Sequence, residues 1–126
     1  MKLIDVVNAY IATDAMRHES FAYDLALALV RVRKATADEA FFYINSEREL
    51  ALRFAELDKD LKMKINPDGS FVFREGADAE EFERLRKELA ETEVEYISPA
   101  IKVRAQGELR PAWVEALEGF IEFVEG

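Results

Sequence analysis

The sequence predicts an α+β fold that is mainly helical, with a helical hairpin containing one long helix, a small β-hairpin with an extended edge segment, and two further helices. Two observations carry this prediction. Apolar residues recur three and four positions apart from Ser20 to about Leu61, a stretch without glycine or proline. A period of two then replaces the helical period around a Pro-Asp-Gly turn. With 126 residues and 50% hydrophobic content, residues 1–126 are expected to form a single domain.

The helical hairpin is predicted from two neighbouring apolar stripes. Apolar residues at helical spacing indicate a first helix over residues 3–16, and Ser20 is the expected N-cap of the long helix. The segment Thr36–Glu39 has the form of a capping box, so two helices joined near Thr36 are an alternative to one continuous rod. We expect continuity. The stripe of the rod comprises Phe21, Leu25, Leu29, Val32, Ala40, Tyr43, Leu50, Phe54, Leu57 and Leu61.

The middle of the chain combines a hairpin signal with a helix signal. Apolar residues alternate on both sides of the segment Asn66–Ser70, where Pro67 presets one turn dihedral and Gly69 accepts a positive φ. Asp78 is then the expected N-cap of a helix that runs to about Ala90, with Glu81 three residues later. The buried stripe of this helix is expected to hold Phe82, Leu85 and Leu89.

The C-terminal third returns to extended character before a last helix. Residues 94–103 are expected to form an edge strand, or two short pieces bent at Ser98-Pro99, because proline cannot donate to a ladder. Pro111 stands at the first position of a terminal helix, whose wide apolar face extends to Val124. The sequence shows no internal repeat and no linker that would divide domains.

Composition excludes several classes of protein. Asp and Glu outnumber Lys and Arg by 26 to 17, so a formal charge of -9 makes direct binding of nucleic acid unexpected. The chain has no cysteine, which rules out disulfides and thiolate chemistry. It shows no signal peptide and no run of about 20 apolar residues, the length that spans a membrane. We expect a soluble, cytoplasmic protein.

The sequence carries no recognisable catalytic or cofactor signature. His18 is the only histidine, and it lies in the joint between the first two helices. The carboxylates do not follow the spacing of a calcium loop, and several have basic residues at helical spacing, as in solvated helix faces. The glycines do not form a phosphate-binding loop. We therefore expect no enzyme activity, no cofactor and no metal.

Aromatic residues are the more informative feature. Phe41, Phe42 and Tyr43 are consecutive, so their rings project from more than one side of the rod, whereas a surface helix of a monomer needs one apolar stripe. The surplus either fills the interior or forms an interface with a partner or a second copy. The candidate interface residues are Phe41, Phe42, Tyr43, Trp113, Phe120 and Phe123.

A narrow basic patch occupies about one turn of the rod, at Arg31, Arg33 and Lys34. Arg31 and Lys34 project in similar directions, whereas Arg33 points elsewhere. Arg31 and Lys34 are candidate contacts for an acidic or phosphate-bearing ligand.

Several short segments are distinctive when taken together with the long charged helix: Asn8-Ala9-Tyr10, Asp68-Gly69, Glu93-Val94-Glu95-Tyr96-Ile97, Ile101-Lys102-Val103, Leu109-Arg110-Pro111, Glu115-Ala116-Leu117-Glu118 and Phe120-Ile121. In these pieces the chain resembles a small family of uncharacterised proteins of tailed bacteriophages and prophages, chiefly of Gram-positive hosts. The family tends to enter the long helix with Leu-Pro, where this chain has Ser20-Phe21. The resemblance implies a phage origin, and it brings neither a known activity nor catalytic residues.

Three functional hypotheses follow. The first is a non-enzymatic phage or prophage accessory or assembly protein that acts through protein contact and forms a homo-oligomer through the rod. The second is an acidic host-takeover or counter-defence protein that blocks a nucleic-acid-binding partner by mimicking phosphate charge. The third is a ligand-binding module or hydrolase that uses carboxylates with Arg31 or Lys34.

Overall fold

Four helices and two short strands follow one another along the part of the chain that the computed structural model describes, residues 1–95, 100–105 and 107–125. The fold is α+β and mainly α, as predicted. In order, the elements are α1 (Leu3–Met16), α2 (Tyr23–Phe54), α3 (Ala79–Ala90), β1 (Ile101–Arg104), α4 (Pro111–Leu117) and β2 (Ile121–Val124). Within the described ranges, no helix is both long enough and apolar enough to cross a membrane.

Helices α1 and α2 form the expected hairpin, and α1 has its predicted bounds. Asp14, near the end of α1, pairs with Arg33 of α2 at 3.1 Å. Tyr10, which comes earlier in α1, makes an edge-to-face contact with Phe41, which comes later in α2. This reversed order shows that the two helices are antiparallel. Between them, the facing side chains are almost completely buried and mostly small or apolar: Val6, Ala9, Met16, Ala28, Val32, Thr36 and Ala40.

The long helix is continuous through Thr36, as expected. The Thr36 hydroxyl donates to the carbonyl oxygen of Val32 at 2.8 Å, so Thr36 lies inside a continuous helix and does not act as an N-cap. The predicted N-cap is wrong, because α2 begins at Tyr23 with Ala22 in the cap position. Phe21 packs against the core just before the helix and keeps the chain extended there.

The rod ends earlier than its apolar spacing predicts. Helix α2 stops at Phe54, so Leu57 and Leu61 are not helical. The Asp58 carboxylate accepts hydrogen bonds from the backbone N–H groups of Asp60 (2.8 Å) and Lys62 (3.0 Å), and this local turn competes with a further helical turn. The prediction failed because the same spacing of leucines suits a helix and a tight β-turn.

Residues 54–74 form a closed unit that we call the β-triangle. The Glu56 N–H donates to the carbonyl of Val72 (2.7 Å), that of Val72 to Lys64 (2.8 Å), and that of Lys64 back to Glu56 (2.9 Å). Each of three short segments therefore pairs with the other two, through the antiparallel bridges Ala55↔Phe73, Leu57↔Met63 and Ile65↔Phe71. The predicted hairpin at Asn66–Ser70 is confirmed, but the third segment was not foreseen.

The two turns of the β-triangle have the same backbone geometry although their residue types differ. Its two turns use the same hydrogen bonds: Asp58 N–H donates to Lys62 O at 2.8 Å and Asn66 N–H to Ser70 O at 2.7 Å. Leu61 and Gly69 occupy equivalent positions with positive φ, 60° and 91°. The two turns share backbone geometry without a shared sequence, because leucine in one turn takes the position of glycine in the other.

Helix α3 begins and ends where the sequence predicts. The Asp78 carboxylate accepts from the N–H groups of Glu80 (3.0 Å) and Glu81 (3.2 Å), and the helix ends at Ala90 as expected. Phe82 is buried, whereas Leu85 and Leu89 are half-buried. After α3, the Leu3 N–H donates to Thr92 O at 2.8 Å, which ties the start of α1 to the end of α3.

The C-terminal segment is a compact β1–α4–β2 unit with a parallel strand pair, Ile101 opposite Ile121 and Arg104 opposite Val124. Pro111 begins α4 as predicted, but the helix ends at Leu117 and does not reach Val124. Gly119 has φ 87°, which breaks the helix, and the β-branched and aromatic residues that follow favour a strand. Val94 is half-buried, β1 begins at Ile101, and the predicted bend at Ser98-Pro99 lies outside the described residues.

Three apolar clusters share helix α2. The largest joins the start of α2 to α1, α4 and both strands, and includes Leu29, Leu117 and Phe120. A second joins the end of α2 to α3 and the β-triangle, where Phe82 meets the rings of Phe54, Phe71 and Phe73 at 5.0–5.7 Å. The third groups Leu3, Val7 and Tyr43.

We expect that Leu61→Gly raises the free energy of unfolding by up to about 1 kcal/mol, because a non-glycine residue at positive φ costs about 1–2 kcal/mol and glycine returns part of that in chain entropy. Gly69→Leu at the equivalent position is the reciprocal change and is expected to lower it by about 1–2 kcal/mol. Urea denaturation measures both. Leu61→Ala keeps a non-glycine residue at positive φ. If it raised the free energy of unfolding as much as Leu61→Gly does, backbone strain at Leu61 would not be the cause.

Candidate functional site

The three consecutive aromatic residues of α2 divide between solvent and core. Phe41 and Phe42 are 51% and 59% exposed, whereas Tyr43 is 7% exposed and packs with Leu3 and Val7. Successive residues of an α-helix lie about 100° apart, so three in a row cannot share one face. Phe41 and Phe42 thus remain available to a partner, and Tyr43 belongs to the core.

The C-terminal aromatic residues mostly serve the fold. Phe120 is 2% exposed within the largest cluster, and Trp113 and Phe123 are half-buried against the same cluster. The Arg110 guanidinium lies 4.8 Å from the centre of the Trp113 ring. The candidate interface is therefore corrected: Tyr43 and Phe120 have no ring surface to offer, and the six residues do not form one patch.

A continuous solvent-facing strip runs along α2, and we call it the outer face. Its residues alternate at spacings of three and four, and all are exposed except the half-buried Leu27: Asp24, Leu27, Arg31, Lys34, Asp38, Phe41, Asn45 and Arg48. Tyr23 (77% exposed), Val30 (47%) and Phe42 flank it. Sequence reasoning missed Tyr23 and Val30, although their seven-residue spacing was visible.

The predicted basic pair lies on this outer face. Arg31 and Lys34 are exposed, and neither pairs with a carboxylate among the described residues. Arg33 points elsewhere, as expected, and pairs with Asp14 at 3.1 Å. Anion contact by Arg31 and Lys34 stays a prediction.

The structure brings together a polar network that sequence reasoning did not single out. The Tyr43 hydroxyl donates to Glu47 Oε2 at 2.8 Å, and Arg86 Nε donates to the same oxygen at 3.3 Å. Burial, and secondarily the Glu47 carboxylate, raise the pKa of Tyr43, while Arg86 opposes them. The pKa of Arg86 is raised, chiefly by its hydrogen bond to Glu47. This network ties α2 to α3 through groups that satisfy one another.

Open grooves flank the network on both sides of α3. One of about 870 Å³ is lined by Ile4, Tyr43 and Lys87, and the other, about 720 Å³, by Ile44, Glu47 and Phe71. A smaller cavity of about 290 Å³ lies between the start of α2 and the C-terminal unit, with mainly apolar walls. Across the described ranges, no three His, Asp or Glu residues stand where they would hold a metal ion.

No protein family, curated protein or solved structure matches this chain.

The Tyr43 network predicts a specific pH dependence. Because the pKa of Tyr43 is raised in the folded state, its contribution to stability is complete below the unfolded pKa of about 10 and is lost as pH rises through the folded pKa. Tyr43→Phe should make the loss of unfolding free energy above pH 10 smaller than in the wild type, as measured by urea denaturation. Tyr23→Phe at an exposed ring is the matched control. An unchanged alkaline profile for Tyr43→Phe would contradict the assignment.

Proposed function

We propose that this chain is a non-enzymatic accessory or assembly protein that works by protein contact, and that the outer face of α2 makes the contact. The observation that carries the proposal is the exposed pair Phe41 and Phe42 at the middle of the longest helix. Large aromatic rings are enriched at protein interfaces because they bury much apolar area at a small cost in side-chain entropy. Helix α2 carries six large exposed apolar side chains, of which Tyr23, Val30 and Phe42 flank the outer face and Phe41 lies on it.

The charges of the outer face also favour contact with protein. Arg31, Lys34 and Arg48 outnumber Asp24 and Asp38, so the outer face has a formal charge of +1 on a chain of net charge -9. A strip with this charge and with apolar residues meets less long-range repulsion from acidic proteins than the rest of the surface.

The phage or prophage origin in this proposal is supported by the motif resemblance, and it would place the contact in the cytoplasm of a bacterial host. The charge-mimicry alternative has no observation in its favour. Carboxylates lie on all four helices, and those of Glu81 and Glu88 on α3 are both paired with Arg84. It stays a prediction of the sequence.

Phe42→Ser is expected to abolish contacts made through α2 while leaving the fold intact, because the ring is more than half exposed. The measurements are mass by light scattering after size exclusion, and capture of bacterial proteins by the immobilised chain. Ile65→Ser, at a comparably exposed apolar residue of the β-triangle, is the matched control. Equal effects of the two variants, or none from Phe42→Ser, would contradict the proposal.

A further inference from the structure

We propose that the occupant of the outer face is a second copy of this chain, packed antiparallel along α2 about a two-fold axis at the level of Thr36. The inference rests on the proposed contact function and adds the partner and its register. Its basis is the order of charges and apolar residues along the outer face.

The charges of the outer face are self-complementary about this axis. Thr36 lies midway along the chain between Lys34 and Asp38, and also midway between Asp24 and Arg48. In an antiparallel pair centred there, Lys34 of one copy faces Asp38 of the other, and Asp24 faces Arg48. Each ion pair occurs twice by symmetry, as an isologous interface requires.

The uncharged residues suit the same register. Arg31 faces Phe41 of the second copy, an arrangement in which a guanidinium packs on an aromatic face. Val30 and Phe42 flank the seam on opposite sides, where each adds apolar surface at the edge of the contact. The spacing of three and four residues is that of a coiled-coil seam, which keeps facing residues in contact along the length of both helices.

The nearest alternative registers oppose like charges. A parallel, in-register pair places Lys34 on Lys34 and Asp38 on Asp38. An antiparallel pair shifted by one heptad places Arg31 against either Arg48 or Lys34 of the second copy. Like charges directly opposed in an interface disfavour association, so the charge order favours the register centred at Thr36 over these alternatives.

Cysteine cross-linking tests the register directly, because the native chain has no cysteine. Leu27→Cys and Asn45→Cys are prepared separately, and both leave the four paired charged residues in place. Thr36 also lies midway between these positions, so they face each other across the axis. The mixture of the two variants should form a disulfide dimer under mild oxidation, whereas neither variant alone should, since like positions lie about 27 Å apart along the helices.

Charge exchange tests the pairing independently. Lys34→Asp and Asp38→Lys should each weaken self-association by roughly tenfold or more, because each replaces two attractions by two repulsions. The equimolar mixture, and the double variant Lys34→Asp/Asp38→Lys, should regain the wild-type dissociation constant in sedimentation equilibrium. Circular dichroism establishes that helix content is unchanged.

Either of two results would overturn the antiparallel register. Cross-linking of each cysteine variant alone would indicate a parallel pair, and single charge variants that associate like the wild type would show that these charges do not face each other. A strict monomer whose capture of another protein depends on Phe42 would overturn the second copy while leaving the contact function intact. A monomer whose captures do not depend on Phe42 would overturn both.

Discussion

The close contact between α1 and α2 is the constraint on which the rest of the structure depends. Ala9 and Ala40 are completely buried there, and small side chains allow two helix backbones to approach closely. The buried hydroxyls of Thr13 and Thr36 donate to carbonyl oxygens of their own helices, at 2.9 and 2.8 Å, so each helix satisfies its polar groups before it packs. The Arg33 side chain donates across the interface to Asp14 at 3.1 Å, and the rest of the contact depends on burial and fit.

This contact also determines what α2 shows to solvent. One side of the helix faces α1, the C-terminal unit packs on its first turns, and α3 with the β-triangle packs on its last turns. The outer face is the side that these elements leave mostly exposed, although Phe41 contacts Tyr10 of α1 at its edge. Because the charges on that side are self-complementary, we interpret this exposed surface as a contact for a second copy of the chain.

The β-triangle packs at the C-terminal end of α2. It ends α2 by turning the chain at Asp58, and it supplies the rings of Phe71 and Phe73 to the pocket that holds Phe82 of α3. Aromatic edge-to-face contacts of this kind add to the free energy of area burial. The network of Tyr43, Glu47 and Arg86 then closes the remaining gap between α2 and α3, so α3 is held at both its apolar and its polar side.

The sequence by itself determined the features that depend on neighbours within a few residues. These include the bounds of α1, the Asp78 cap, the turn at Asn66–Ser70 and the proline that begins α4. Local hydrogen bonds and fixed dihedrals set them. The exposure of Phe41 and Phe42 was predictable only as one of two alternatives, since helical geometry separates them from Tyr43 without saying which side meets solvent.

The tertiary structure alone decided the end of α2, the third segment of the β-triangle and the pairing of β1 with β2. It also decided that Phe120 lies in the core. Short apolar runs such as the one that ends at Val124 suit a helix and a strand equally, and the choice depends on a partner strand far along the chain. Burial of a ring likewise depends on what packs against it, which the spacing of residues within one element does not contain.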